Sequence, residues 1–276
     1  MGVANHRSIA WACVESMRKK NYNIIITCQN ERTQKTVEKM AETIRQQQEP
    51  SSNHLPQILA VLPCNVEQDL PLLLEQQIPE ILDKNKTCGP ASLDAIVHSI
   101  AYASYDTDND EGSSSSSSSS LNLSNATWEQ FQQAQHISAF SLLETAKYAK
   151  PLLSSQNSSI TALSYIGAVR AVPNYHLMGP AKASLEACVR GLAAELGPTH
   201  QCRVNAVSAG PQRTLSARGI PQFTELYSHV QDKAPLRRNV SQQEVAQTVA
   251  FLATEGTGIT GQTIYVDAGY SSGVPV

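Results

Sequence analysis

Long apolar runs are missing from this sequence. No stretch approaches the roughly 20 residues that a bilayer span needs, although 41% of the 276 residues are hydrophobic. An excess of positive charge is missing too: 21 Lys and Arg stand against 24 Asp and Glu, a formal net charge of −3. A general nucleic-acid binder needs a basic stripe, so that class is set aside. The six cysteines, at 13, 28, 64, 88, 188 and 202, form no C-x-x-C pair. With no secretory leader in front of them, they are expected to be reduced thiols of a soluble intracellular protein. The seven histidines show no H-E-x-x-H or mixed Cys/His spacing, so no metal site is expected. Neither G-x-S-x-G nor G-x-x-x-x-G-K-S/T occurs, which removes the common hydrolase elbow and the P-loop.

What is present is a rhythm of short apolar runs between longer helical patterns. Asn23–Cys28, Gln57–Pro63, Asp94–Ser99, Ser159–Ser164, Arg203–Ser208 and Gln262–Val266 are β-branched-rich and nearly continuous. They read as parallel strands buried on both faces. Ser8–Lys20 carries one apolar face, Ala181, Leu185, Cys188, Leu192 and Leu196 form another stripe, and Ser241-x-x-Glu244 is a capping box. The alternation predicts an α/β, Rossmann-like, doubly wound parallel sheet in a single domain spanning 1–276. Two segments fall outside the rhythm. Gln46–Gln57 reads as an extended loop. Asp106–Ser120 is acidic and then poly-serine, and is expected to be a disordered insertion; an active-site lid is the functional alternative.

Chemistry is suggested at two places. Met1-Gly2 runs into a helix opening at Ser8-Ile9, and a glycine turn before a helix N-terminus is how α/β folds cradle a pyrophosphate. A single glycine without G-x-G-x-x-G is also compatible with an ordinary loop whose N-cap is Ser8. The second place is Ser164-Tyr165-Ile166-Gly167-Ala168, followed by Asn174-Tyr175 and Ala181-Lys182-Ala183-Ser184. Tyr175 and Lys182 are seven residues apart, almost two turns along one face of a helix. A phenol beside an ammonium is a donor suited to a carbonyl oxygen, because the cation favours the phenolate. Tyr165 follows a predicted strand, where ligand crevices open.

These fragments, with TCQNERTQKTVE, DAIVHSIA, RVNAVSAGPQRTLSARGI, PLRRNVS and GITGQTIYVDAGY, occur in order along nearly the whole chain. The chain resembles the short-chain dehydrogenase/reductase superfamily and, within it, the divergent enoyl-(acyl-carrier-protein) reductase branch of fatty-acid biosynthesis. That branch carries a second tyrosine ten residues before the Y-x6-K tyrosine, as Tyr165 stands before Tyr175. The resemblance implies NADH-dependent reduction of trans-2-enoyl thioesters, with acyl carrier protein as partner and a homotetramer as the assembly. It implies Tyr175 as donor to the thioester oxygen, Lys182 at the nicotinamide ribose, and Tyr165 shaping the acyl pocket and assisting proton delivery. Gly2, Ser8 and Ile9 would line the pyrophosphate turn, Gln29 would meet the adenosine ribose, and Asn65 and Val66 would flank the adenine. Ser99, Ile100 and Ala101 would pack near the nicotinamide ribose, and Ala103 would border substrate. Gln212, Arg213, Thr214, Leu215 and Ser216 would hold the carboxamide side. The type of residue at Gln29 favours NADH over NADPH.

The chain also departs from the branch. Members carry a strand before the glycine turn, whereas this sequence opens at Met1-Gly2. The expectation is a start downstream of the true one, with a central strand missing, two neighbours stripped of ladder partners and a hydrophobic slot exposed. A plastid location would follow from a leader, a cytoplasmic one otherwise. Pro180 falls between Tyr175 and Lys182, where it is expected to kink the helix or delay its start. Gln212 is polar where the branch has an aliphatic residue. Two alternatives stay open on the sequence: a reductase of ketones or alcohols, and an inactive, N-terminally truncated paralogue.

Overall fold

The structure, a computed structural model, describes residues 1–46, 56–85, 92–103, 123–214, 217 and 220–273. The expected disordered insertion at 106–120 and most of the 46–57 loop lie outside the described residues. The elements alternate as predicted. Helix α1 (Ile9–Arg18) precedes β1 (Ile24–Cys28), and α2 (Glu31–Gln46) precedes β2 (Ile58–Pro63). A short α3 (Leu70–Leu72) passes through a π-helical turn into α4 (Ile78–Lys84), ahead of β3 (Ala95–His98). Next come α5 (Trp128–Gln135), a second π turn at His136–Phe140, α6 (Ser141–Ala149) and β4 (Ser159–Ser164). Helix α7 (Met178–His200), β5 (Arg203–Ala209), α8 (Phe223–Lys233), α9 (Gln242–Thr254) and β6 (Thr263–Val266) complete the chain.

All strand pairs are parallel, in two sheets ordered β1-β2 and β3-β4-β5-β6. Register aligns Ile96 with Ile160 and Ile160 with Val204. Every residue of β4 and β5 is buried, which is why those two segments are nearly continuous in small and branched side chains. Helices α1, α2 and α9 cover one face. Ala12 and Cys13 of α1 pack with Val245, Val249 and Leu252 of α9, while Ala10, Trp11 and Val14 pack with Val37 and Ala41 of α2. On the other face Leu142 and Ala146 of α6 meet Leu185, Val189 and Leu196 of α7. Local caps agree with this layout: Ser8 accepts from Trp11 N, and Ser241 with Glu244 forms the predicted capping box.

Strands β1 and β3 are not paired with each other among the described residues. A groove of about 550 Å³ of mixed polar and apolar lining separates β1 from β3, with Ile25, Ile26, Ile96, Val97, Leu73 and Leu74 beside Asn23, Thr27 and Asp94. Residues 1–3 tie the two sheets together at one end of it. Gly2 N and Val3 N both donate to Thr27 O, Met1 N donates to Val97 O at 2.6 Å, and Ser99 N donates to Met1 O at 3.2 Å.

One expectation about the helix after β4 is corrected, and of the two outcomes expected for Pro180 the late start is found and the kink is not. Tyr175 does not share a helical face with Lys182: it precedes α7, which begins at Met178. Nor does Pro180 lie in a helix interior. It is the third residue of α7, inside the first turn, where backbone N–H groups have no intrahelical acceptor and the missing donor costs little. The helix starts late and does so without a break between Pro180 and Lys182.

Candidate active site

Parallel strands place their carboxyl ends at one edge, and the candidate residues collect there. Gln29 follows β1 and is exposed; Asn65 and Val66 follow β2; Ser99, Ile100 and Ala101 follow β3; Tyr165 follows β4; Gln212 to Thr214 follow β5. This is the edge at which α/β sheets open ligand crevices.

On the side of α1, Gly2 has φ +85°, and a Cβ there would lie 2.2 Å from Ser99 O and 3.2 Å from Ile100 Cγ1. Glycine is thus required by the close approach of the first turn to the end of β3, as well as by its dihedral. Ser8 spends its hydroxyl on the cap, accepting from Trp11 N and donating to Asn5 O. The first-turn N–H groups of α1, beginning at Ile9, head the helix at this edge, and helix N-termini favour anions. Asn65 Oδ1 accepts from Glu67 N, and Asn65 N donates to Asp69 Oδ2, which fixes the turn after β2.

The candidate catalytic residues are gathered on the β4–α7 connection. Tyr165 leads into a 3₁₀ turn, Ile166–Ala168, and the chain then folds back so that the rings of Tyr165 and Tyr175 meet, centroids 4.8 Å apart and planes tilted 60°. Asn174 and His176, both with positive φ, flank Tyr175, and Asn174 Nδ2 donates to Pro221 O and Gln222 Oε1. This unusual backbone is held by its surroundings, which is typical of functional turns. Gly167 lies directly under the ring: a Cβ there would be 2.4 Å from Tyr175 Cδ1. Tyr175 is buried with Ala103, Ala134, Leu177 and Met178, and Tyr165 and Ile220 pack on the same cluster. Ala103 therefore belongs to the apolar wall beside both phenols. The loop that carries it is pinned by Ser138, whose Oγ donates to Tyr102 O and accepts from Tyr102 N.

Lys182 is 5% exposed and donates to Leu163 O at 2.8 Å. Burial pulls its ammonium down to about 8, against the opposing pull of Glu186. Burial raises the Tyr165 phenol above its ordinary value, as do Tyr270 and Asp267, and its buried Oη has no hydrogen-bond partner among the described residues. A buried hydroxyl left unpaired in this way is costly and stands where a ligand oxygen can partner it. His98, at the end of β3, is fully buried and bonded to Ser141 Oγ at 2.9 Å; burial first, and the Lys182 charge second, lower it to about 3, so it is neutral.

Beyond β5, Gln212 is buried and donates to Val240 O at 2.9 Å. Thr214 N donates to Gln212 O, and the guanidinium of Arg213 lies over the Tyr227 ring at 4.3 Å. Leu215 and Ser216 lie outside the described residues. Sequence reasoning gave no role to Gly167, His98, Ser164 or Glu186. The signal for the last was in plain view: Lys182 and Glu186 stand one turn apart within an otherwise apolar stripe.

The residues present fit a dinucleotide. A left-handed glycine at the start of a capped helix, an exposed amide past β1 and an orphaned phenol past β4 border one edge. Among the described residues there is no group of three or more His, Cys, Asp or Glu suited to a metal, and no helix long and apolar enough to cross a membrane.

Comparison with known proteins points the same way. The sequence model of the family described as Enoyl-(Acyl carrier protein) reductase matches residues 2–271. An enoyl-(acyl-carrier-protein) reductase (NADH) FabI of Nostoc sp. is 42% identical over 270 residues, covering 98% of this chain and 93% of the relative. The corresponding NADPH protein of Staphylococcus aureus is 38% identical over 271 residues, covering 98% and 94%. Among solved structures, the NADH enzyme of Aquifex aeolicus superposes with a TM-score of 0.81 at 32% identity, covering 100% of this chain and 96% of that one. A Bacillus cereus enoyl-acyl carrier protein reductase with NADP+ and an indole naphthyridinone superposes with a TM-score of 0.81 at 37% identity, covering 99% and 95%.

Proposed function

The chain belongs to the enoyl-(acyl carrier protein) reductase family, and from that premise we propose that it reduces trans-2-enoyl thioesters carried by acyl carrier protein, in fatty-acid biosynthesis, through the Tyr165–Tyr175–Lys182 cluster. The observation that carries the site assignment is the tilted phenol pair on the β4–α7 connection, with Ala103 in the same apolar cluster and a buried lysine bonded to the end of β4.

A bound dihydronicotinamide supplies the hydride for the β-carbon of the enoyl chain. The protein's share is to stabilise the negative charge that collects on the thioester oxygen. Tyr175 holds a proton at its hydroxyl for that oxygen, and such a donor is worth on the order of 10²–10³ in rate. Lys182, held by Leu163 O, keeps an ammonium behind the phenols and near the cofactor ribose. Tyr165 shapes the acyl pocket, and its buried Oη has hydrogen-bonding capacity to give to substrate or water. Gly2, Ser8 and Ile9 receive the pyrophosphate, Gln29 the adenosine ribose, Asn65 and Val66 the adenine, and Ser99 to Ala101 the nicotinamide ribose. Gln212 to Ser216 close the carboxamide side.

For the choice of nucleotide we read NADH as the preferred donor, because the side chain that follows β1, Gln29, is a neutral amide without a charge to pair with a 2′-phosphate. Relatives of both kinds exist, so the ratio of kcat/KM for NADH and NADPH is the measurement that settles it. A homotetramer is the assembly of this reading, and the molar mass in solution tests it. Acyl carrier protein is the macromolecular partner of this reading.

Tyr175→Phe tests the central assignment. With a 2-enoyl thioester and NADH, kcat is expected to fall by about 10²-fold or more with thermal stability little changed. Throughput within a few-fold of the wild type would overturn it. Turnover of a 3-oxoacyl thioester in place of the enoyl substrate would overturn the substrate class.

A further inference from the structure

Two adjacent residues at the end of β4 each clamp a polar side chain of α7. Leu163 offers its carbonyl to Lys182 Nζ at 2.8 Å, and Ser164 Oγ donates to Glu186 Oε1 at 2.5 Å. Lys182 and Glu186 are one turn apart on α7, so they occupy the same face. Both are 5% exposed, and Ser164 is 6% exposed. Charged side chains are almost never buried to this degree unless paired. An O–H···O contact of 2.5 Å is the length of a bond to an ionised carboxylate. This places a buried carboxyl group one helical turn from the proposed catalytic cation, bonded to the strand that also holds the cation.

We infer that Glu186 is a positioning residue for Lys182: held by Ser164, it keeps the Lys182 side chain ionised and directed at the end of β4, where the nicotinamide ribose is to be bound. The inference rests on the role proposed for Lys182. An isolated ammonium in this interior would lose its charge to desolvation, and a carboxylate within about 4–6 Å restores it by one to a few pH units. Burial draws Lys182 down to about 8 even with Glu186 in place, and Glu186 is the opposing influence. The other ionisable groups at this end of the sheet come from three further elements. His98 of β3 is neutral above about 3. Tyr265 of β6 is raised by burial first and by Glu186 second, and Asp267 follows that strand. Tyr165 and Tyr175 come from the β4–α7 connection, and the Tyr165 phenol is raised. Glu186 is the one carboxylate on α7 that lies on the buried face with Lys182.

The test is the pH profile of kcat/KM with NADH and a 2-enoyl thioester for the wild type, Glu186→Gln, Glu186→Asp and Lys182→Arg. The wild-type profile should lose activity above about pH 8, where Lys182 deprotonates. Glu186→Gln is isosteric and still accepts from Ser164, so it folds, and its alkaline limb should move down by about one pH unit. Glu186→Asp retains the charge and should bring the limb back to within about 0.3 unit of the wild type. Lys182→Arg, whose cation does not titrate, should show no such limb. A limb unmoved in Glu186→Gln, with only a lower melting temperature or a uniformly lower kcat, overturns the inference and leaves a packing role. If Glu186→Gln does not fold, Glu186→Asp decides alone, because a limb displaced by a full unit despite the retained charge also overturns it. An alkaline limb that persists in Lys182→Arg overturns the Lys182 reading itself, which separates that failure from failure of the Glu186 inference.

Discussion

Replacing Gly167 by alanine asks whether the position of Tyr175, rather than its mere presence, sets the rate. A Cβ at residue 167 would lie 2.4 Å from Tyr175 Cδ1, 2.6 Å from Cε1 and 3.4 Å from Tyr165 Cδ1. Carbon atoms rest at about 3.5–4.0 Å, so the Tyr175 ring must withdraw by at least about 3.5 − 2.4 = 1.1 Å. Behind the ring stand Ala103, Leu177 and Met178, so withdrawal means rotation of the phenol away from its present direction. A misplacement of about 1 Å costs on the order of 10²-fold in rate, near 2.7 kcal/mol of barrier. Overpacking of this size takes only about 1–3 kcal/mol from stability, which leaves the protein folded. Absorbance of NADH with a 2-enoyl thioester, beside a thermal melt, reads both quantities. Because the two changes act on one side chain, Gly167→Ala combined with Tyr175→Phe should cost little more than Tyr175→Phe alone. A Gly167→Ala enzyme within threefold of the wild type, or full additivity in the double variant, would refute the reasoning.

Arg203 should carry stability rather than activity. Its buried guanidinium donates to the carbonyls of Leu252, Ala253 and Gly256 at the end of α9 and to Asn157 Oδ1. Arg203→Met orphans those acceptors and is expected to cost about 3 kcal/mol, read as a lower urea midpoint with kcat unchanged in the folded fraction. Acid stability should depend on His98. Burial lowers its folded value to about 3 from an ordinary 6.5, so the stability from keeping it neutral is complete above 6.5. That stability is lost as pH falls from there toward 3, at about 1.4 kcal/mol per pH unit. The dependence of the urea midpoint on pH between 6.5 and 4.5 should be shallower in His98→Gln, and an unchanged slope would remove His98 from the acid transition. Gly2→Ala puts a Cβ 2.2 Å from Ser99 O at a positive φ, and since that carbonyl is backbone and cannot swing aside, KM for NADH should rise by at least tenfold, measured from initial rates.

Much of this arrangement was legible before any coordinates. Strands β4 and β5 announce themselves because burial on both faces removes the alternation of a half-exposed strand, leaving unbroken small and branched residues. Helices α1 and α9 are marked by caps whose partners fall at fixed offsets. The run from α5 to α6 is harder: a π turn at His136–Phe140 shifts the buried face between two helices, so no single 3.6-residue stripe runs through it. The start of α7 was misplaced for a different reason. A tyrosine and a lysine seven residues apart match a helical face, but spacing alone does not say where the helix begins. Pro180 pointed to the later start, since a proline in the first helical turn gives up no intrahelical hydrogen bond. Gly2 suggested a close approach to a bound phosphate, and the contact that makes glycine obligatory is with the protein's own Ser99 carbonyl. Glu186 escaped because an i, i+4 lysine–glutamate pair ordinarily means a solvated helix face. Only tertiary packing buries both side chains and sets them against adjacent residues of β4, Leu163 and Ser164.

The two halves of the site stand on different sheets, and this determines how they communicate. The glycine turn, α1 and Gln29 belong with β1 and β2, whereas the phenols, Lys182 and Glu186 hang on β4 within β3-β4-β5-β6. No strand-to-strand ladder joins β1 to β3 among the described residues. Alignment across the groove rests on two other connections. One is backbone: Gly2 and Val3 bonded to Thr27 O, and Met1 bonded to Val97 O and Ser99 N. The other is the packing of α1 on α9 through Ala12, Cys13, Val245 and Val249. On the proposed function, disturbance at these connections would act first on how a dinucleotide is received, and disturbance on the β4–α7 connection on the proton and charge at the acyl oxygen. The separation follows from the topology: one edge gathers every strand end, but only β4 leads directly into the helix that carries the cation.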